Sequence, residues 1–329
     1  MKKQKIAFDI FFLIVFIIIL FLLVYIYNLF NKPQKQTVSS TKQKSIEIVV
    51  SRYNETLEWT LEYPFNKYKY IVYNKGDNEE YEKTNVLKSY NIKNQGKCDH
   101  TYMYHLYHHY ENLSDIVVFL PGCISDAYFK YSKARILFEV IEKYNEAFFI
   151  VDYQSQTNIL DEYYYFKVDD YKSMTVSNLE KNEDINFRVS KVRPYGKWYE
   201  SNFDYPITNV TLFGIFSVNN RDVHNHKKEE YYKLMKSLEG AINDELSHYF
   251  EKSWEAIFYP LQFTHLLYYT NSITYMVSKL GIYYAQWYKE KATFDLSASP
   301  LTGPLLWNLI YFMNNKTYLN YNIKFNKND

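Results

Sequence analysis

Cysteine is nearly absent: Cys98 and Cys123 are the only two in 329 residues. Two thiols do not make a disulfide framework and their separation suggests no zinc site, which leaves one structural disulfide as their largest architectural role. Glycine and proline are also scarce, at eight each, and the matching excess of Tyr, Asn, Lys and Ile reflects an AT-rich coding sequence rather than chemistry. No charge of one sign prevails. The 38 basic and 37 acidic side chains nearly cancel, and no dense basic block lies outside the stretch 31–45 and the C-terminal tail. Nucleic acid as a partner therefore has no electrostatic footprint. An Asp-x-Asp metal motif is missing as well. The 37 tyrosines can line a carbohydrate site, but equally serve as half-buried strand and helix residues.

What is present begins with one long apolar run. Residues 10–30, IFFLIVFIIILFLLVYIYNLF, carry no charge and only Asn28 as a strongly polar side chain. As a helix of about 1.5 Å per residue this run is roughly 31 Å long, the thickness of a bilayer core. A signal peptide is the competing reading because Lys2, Lys3 and Lys5 precede the run, but the run is too long and no Ala-x-Ala-like site follows. The sequence thus predicts a cytosolic tail at 1–9, a transmembrane anchor at 10–30 and a polar stalk at 31–45. Lysines flank the span almost evenly, so orientation rests on the lack of a foldable segment before it. A single-pass type II topology would put 31–329 in a lumen (endoplasmic reticulum or Golgi) or outside the cell, with the lipid bilayer as partner. The four acceptor patterns at Asn54, Asn112, Asn209 and Asn315 are compatible with a glycoprotein and weak by frequency alone.

From 46 onward the composition turns to strands and amphipathic segments. The β-branched run 46–51 (IEIVVS) reads as a buried parallel strand ending in Arg52-Tyr53-Asn54-Glu55, and 68–73, 116–120 and 147–151 are further strand candidates. Polar groups at the carboxyl end of such strands lie where open α/β sheets bind ligands. A short third strand is expected over 89–94. Helices are expected over 101–110, 134–144 and 228–241, and again around Glu245 to Trp254. This alternation predicts an α/β fold, a mostly parallel sheet with helices on both faces, over 46–260, with a mainly helical C-terminal extension at 261–329. His105, His108 and His109 fall on neighbouring helical offsets, which suits a metal, packing or solvent exposure alike. Asp152 at a strand end reads as a surface cap.

Several segments taken in order carry a family resemblance: VVSRYNETLEW at 49–59, NQGKCDHTYMYHLYHHYENLSD at 94–115, VVFLPG at 117–122, FGIFSVNNRDV at 213–223, EYYKLM at 230–235 and HYFEKSWEAIF at 248–258. The set resembles a glycosyltransferase-like family of fungal, algal and viral proteins grouped under a domain of unknown function. The resemblance covers about 46–260 and implies a glycosyltransferase A-like, Rossmann-like fold. It further implies transfer of a sugar from a nucleotide sugar to a glycan or glycoprotein acceptor, the alternative being an inactive glycan-binding or structural membrane protein. On this reading Arg52, Asn54, Glu55, Asn94 and Lys97 would bind the donor, and Trp59, Arg193, Trp198 and Trp254 would supply acceptor or aromatic contacts. Glu251 would act as base. Cys98 stands where the family shows an acid, so either Asp99 substitutes from a shifted position or that role is lost. Many such transferases neutralise the departing diphosphate with Mn²⁺ or Mg²⁺, but no clear Asp-x-Asp motif is present here, which leaves the metal unknown and Arg52, Lys97 and Arg193 as the alternative positive charge.

Overall fold

The computed structural model describes residues 43–168, 187–269 and 321–326. In chain order the domain runs β1 (Ile46–Arg52), β2 (Tyr70–Asn74), β3 (Val86–Asn91), α1 (Lys97–His109), β4 (Ile116–Pro121), α2 (Tyr128–Tyr144), β5 (Ala147–Val151), β6 (Tyr153–Gln154) and α3 (Ile159–Tyr163). It continues through β7 (Phe187–Arg188), α4 (Tyr195–Glu200), β8 (Asn209–Val210), β9 (Phe216–Asn219), α5 (Asn220–Val223), α6 (Lys228–Ser237), β10 (Asn243–Asp244), α7 (Glu245–Ile257), β11 (Thr264–Tyr269) and β12 (Tyr321–Lys324).

A five-stranded sheet in the order β3-β2-β1-β4-β9 forms the centre. Its first four strands are parallel and β9 is antiparallel to β4. Both faces of β1, β2 and β4 are buried, as a two-sided parallel sheet requires, and their side chains alternate between two cores. Val49, Tyr73, Val117 and Phe119 pack with Tyr102, Met103 and Leu106 of α1, while Ile48, Val50, Val72, Val118 and Leu120 join Leu137, Phe138 and Ile141 of α2. Asp244 caps α7 by accepting from the Leu246 amide at 3.0 Å, and Asn145 ends α2 in the left-handed conformation at φ 56°.

The fold corrects the expectation of one mostly parallel sheet. The candidates near 46, 68 and 116 do share the central sheet, but β5 pairs in parallel with β11, which pairs antiparallel with β12, in a separate three-stranded sheet. The domain is a mixed α/β domain, not the glycosyltransferase A-like sheet expected. The physical cause sits at Ser217. Its buried hydroxyl accepts from the Phe148 amide at 2.7 Å and donates to the Phe148 carbonyl at 3.1 Å, so a side chain stands where a ladder between β9 and β5 would run. The described part of the expected helical extension consists of β11 and β12, and 270–320 lie outside the described residues.

The expected membrane span at 10–30 also lies outside the described residues. Among the described residues no helix is long and apolar enough to cross a membrane. No described helix supports the anchor, the bilayer partner or the lumenal placement, and they are not carried further.

Ser217→Ala should leave the Phe148 amide and carbonyl without their partner in a dry core, lowering stability by about 1–3 kcal/mol. Denaturant unfolding at an unchanged slope measures this. A loss below about 0.3 kcal/mol would mean that Ser217 does not join the two sheets.

Candidate functional site

The chain steps outward from β1 to β2 and β3, then returns through α1 to place β4 on the other side of β1. The carboxyl ends of β1 and β4 are thus a topological switch point, where loops diverge and open α/β sheets bind ligands. Around that edge lie the loop after β1, the turn after β4, the first turn of α1, the 211–214 turn and the half-buried side of α7 that carries His248 and Glu251.

Arg52 ends β1 fully enclosed. Its Nε donates to the Glu55 carbonyl at 2.7 Å, its Nη1 to Asn74 Oδ1 at 2.5 Å and to the Asn78 carbonyl at 2.6 Å, and the guanidinium lies 4.1 Å over the Tyr81 ring. It fastens the loops after β1 and β2. Glu55 turns back to accept from the Tyr53 amide at 2.6 Å, and burial pushes its carboxyl up. Gly122 makes this possible: a Cβ there would stand 2.8 Å from Glu55 Oε2. Asn54 and Asn94 are half-buried in their loops.

Two buried lysines hold the turns at that edge. Lys75, directly after β2, donates to the Gln95 carbonyl at 2.6 Å and to the Lys97 carbonyl. Gly96 and Lys97 between and beside those carbonyls are both left-handed, at φ 54° and 47°. Burial pulls the Lys75 ammonium down to about 8, against the opposing pull of Cys98, Asp99 and Glu55. Lys133, on α2, pairs with Asp152 and donates to Thr211 Oγ1 at 3.0 Å and the Leu212 carbonyl at 2.7 Å. Asp152, expected as a surface cap, accepts from the Leu212 amide at 2.7 Å. The turn so held contains a second left-handed pair, Phe213 and Gly214, at φ 65° and 62°. The two turns meet at Cys98: a Cβ on Gly214 would lie 3.1 Å from its Sγ.

Asp99 occupies the first turn of α1, 4% exposed. Burial pushes its carboxyl up to about 8, Glu251 adds to the rise and Lys97 opposes it. Lys97 is itself lowered by burial and raised by Asp99 and Glu251. Glu251, half-buried on α7, accepts from the Phe213 amide at 2.7 Å. His248, one helical turn before it, is held down at about 3 by burial and by Lys97 and Lys252, so its imidazole is neutral at pH 7. Cys123, after β4, accepts from Lys130 Nζ at 3.2 Å, yet burial pushes its thiol up to about 11. Both cysteines are free.

The fold therefore brings Lys97, Asp99 and Glu251 within electrostatic reach of one another. It puts the aromatic candidates elsewhere. Trp59 lies between Phe65 and Tyr70, with Nε1 donating to the Gly122 carbonyl at 3.0 Å. Trp198 packs on Tyr249 and Phe250, and Trp254 is fully buried against Phe216 and Phe258. Arg193 pairs with Glu245 at 3.1 Å, and that buried carboxylate also accepts from the Val168 and Ser190 amides at 2.8 Å each. His105 is buried at the other end of α1, its Nδ1 2.9 Å from the Tyr73 hydroxyl. Among the described residues no group of His, Cys, Asp or Glu side chains is arranged to hold a metal ion. Lys75 and Lys133 escaped the sequence reading. Lys75 had a signal, since it follows β2 as Arg52 ends β1.

No family model, no curated protein and no solved structure matches this chain. With no membrane-crossing helix and no metal-holding cluster among the described residues, the expected membrane-anchored glycosyltransferase is set aside. The inactive glycan-binding alternative and the nucleotide-sugar and glycan partners go with it.

Asp99 gives a signed pH prediction. Its folded pKa of about 8 lies above the unfolded carboxylate value of about 3.9, so the folded state binds more protons between them. Its contribution is fully present below about pH 4, declines by up to about 1.4 kcal/mol per pH unit as pH rises, and levels off above about 8. Asp99→Asn removes that slope, so D99N should gain on the wild type from pH 5 to 8 and no further at pH 9. Urea unfolding of both proteins at each pH measures the difference, and a pH-independent difference would refute it.

Proposed function

We propose that this domain is an acid–base enzyme that moves a proton on a small polar substrate bound at the β1–β4 switch point, with Asp99 as the proton-carrying group. What supports the reading is the place of that carboxyl, enclosed in the first turn of α1 at the switch-point edge of the sheet. Buried, beside the Lys97 ammonium and the Glu251 carboxylate, it titrates near 8 and so exists in both protonation states close to neutral pH. A general acid or base works best when its pKa lies near the operating pH. The neighbours do not meet this condition: His248, at about 3, is too weak a base, and the Cys123 thiol, at about 11, stays protonated.

The other groups have supporting parts. Lys97, half-buried and lowered by burial, puts a positive charge near Asp99. Glu251 holds the Phe213 amide and thereby the turn that closes over Cys98, so it acts as a positioning residue whose charge also raises Asp99. The left-handed Phe213, a bulky residue where glycine is favoured, is the kind of local strain that gathers at functional sites.

A thermal-shift screen of nucleotides, phosphorylated metabolites, hydroxy acids and keto acids identifies the ligand class, since a compound that binds only the folded state raises the melting temperature. At least one class should stabilise the wild type. D99N should keep that shift while losing turnover of the same compound by about 10²-fold or more. Stabilisation by no class, or turnover in D99N equal to the wild type, would contradict the reading.

A further inference from the structure

Gly122 directly follows β4, and the reason it is a glycine lies on the neighbouring strand. A Cβ there would stand 2.8 Å from Glu55 Oε2, 3.1 Å from Glu55 Cδ and 3.2 Å from the Arg52 Cα. The Glu55 carboxyl therefore lies directly against the main chain where β1 and β4 end. Ser51 pairs with Pro121, so Arg52 and Gly122 are the residues just beyond the paired register, at the gap where the two loops diverge. Trp59 fixes the same glycine through its carbonyl, which accepts from the indole Nε1 at 3.0 Å. Open α/β sheets take their ligands at such a gap, and here a carboxyl stands in it.

The fold uses that carboxyl only in part. Its donors among the described residues are the Tyr53 amide, to Oε2 at 2.6 Å, and the amide of Glu55 itself. A carboxylate has about four acceptor sites, so acceptor capacity is left for a ligand. Arg52, whose Nε donates to the Glu55 carbonyl at 2.7 Å, has an enclosed Nη2 with no partner among the described residues. Buried polar atoms are normally paired, so the end of β1 holds an acceptor and a donor that the loops do not fill. A hydroxy acid, with a hydroxyl hydrogen beside oxygen acceptors, is their chemical complement. Capping the Tyr53 amide alone would need one oxygen, which glutamine supplies as well as glutamate.

We propose that Glu55 is a specificity-determining residue at the β1–β4 switch point: its carboxylate, laid against Gly122, accepts a hydrogen bond from the hydroxyl of a hydroxy acid and so selects it over the keto acid of the same skeleton. This role rests on the reading of that edge as the place of a small polar substrate, and it is separable from the role of Asp99. A keto oxygen brings no hydrogen to the carboxylate and meets a like partial charge there. Sites built to hydrogen-bond a substrate hydroxyl reject an analogue without it more strongly than apolar sites reject a change of one methylene. Glutamine reverses the polarity, because the Tyr53 amide requires the side-chain oxygen and the amide nitrogen is then turned to the ligand.

The test measures dissociation constants for lactate and pyruvate, malate and oxaloacetate, and 2-hydroxyglutarate and 2-oxoglutarate in the wild type, E55Q and G122A. In at least one pair the wild type should bind the hydroxy acid about tenfold or more tightly than the keto acid, and E55Q should cut that ratio about tenfold. G122A should also cut it while keeping the charge, since the added Cβ would displace a carboxyl 2.8 Å away. A Glu55 that only caps its loop would lower the melting temperature of E55Q and weaken both members of a pair alike. An unchanged ratio in E55Q, or a wild-type preference for the keto acid, overturns the proposal. Binding of none of the six compounds overturns it too; a shift by another class in the thermal screen then leaves the Asp99 reading standing, and no shift by any class removes both. Should E55Q not fold, the carboxyl signal of ¹³C-labelled Glu55 in the wild type, assigned by its loss in E55D, supplies the second readout. A displacement by the hydroxy acid that the keto acid does not produce supports the proposal, and equal displacements overturn it.

Discussion

An ammonium ion taken out of water must find oxygen acceptors, and in this domain that constraint shapes the site. Lys75 and Lys133 are both enclosed, and each settles on main-chain carbonyls. Carbonyls can serve only if the chain bends to present them. Each lysine accordingly faces a turn with two successive left-handed residues, Gly96-Lys97 for one and Phe213-Gly214 for the other. Lys133 also keeps an acidic partner, Asp152, whereas Lys75 has the more distant help of Asp99 and Glu55. A buried lysine with weaker compensation has a lower pKa, and Lys75 falls to about 8.

The parallel strands bring these devices together. Because β1, β2 and β4 run the same way, Arg52, Lys75 and Gly122 emerge at one edge. The α1 crossover between β3 and β4 then carries Lys97 and Asp99 to that edge at its amino end, and α7 contributes Glu251 from the side. Arg52 and Arg193 are spent on loop carbonyls and on Glu245, while Lys97 stands in the first turn of α1 within electrostatic reach of Asp99 and Glu251. Trp59, Trp198 and Trp254 fill the two cores on either side of the sheet, where ring pairs each add about 0.5–1.5 kcal/mol beyond the area they bury.

Much of this could be read from the chain. The strands at 46, 68 and 116 betray themselves by runs of β-branched and aromatic residues, and the helices by their spacing. The partnership of β5 could not be read, because parallel strands far apart in sequence carry no local mark of which neighbour they take, and the Ser217 hydroxyl that joins β9 to β5 in place of a ladder is an ordinary residue in FGIFSV. Asp99 and Glu251 stood out only as members of motifs. Their mutual approach depends on α1 and α7 packing on the same face of the sheet. The tryptophans misled for a simpler reason: an aromatic next to a charged motif looks like a ligand platform in sequence, whereas burial decides its role and burial is a property of the fold.

The central claim is that one carboxyl in the first turn of α1 holds its proton into the neutral range. Selective ¹³C labelling of aspartate, with Asp99 assigned by comparison to D99N, reports that carboxyl directly as pH is raised. A midpoint near 8 is expected, well separated from the exposed aspartates. A midpoint close to the unperturbed value of about 3.9 would contradict it.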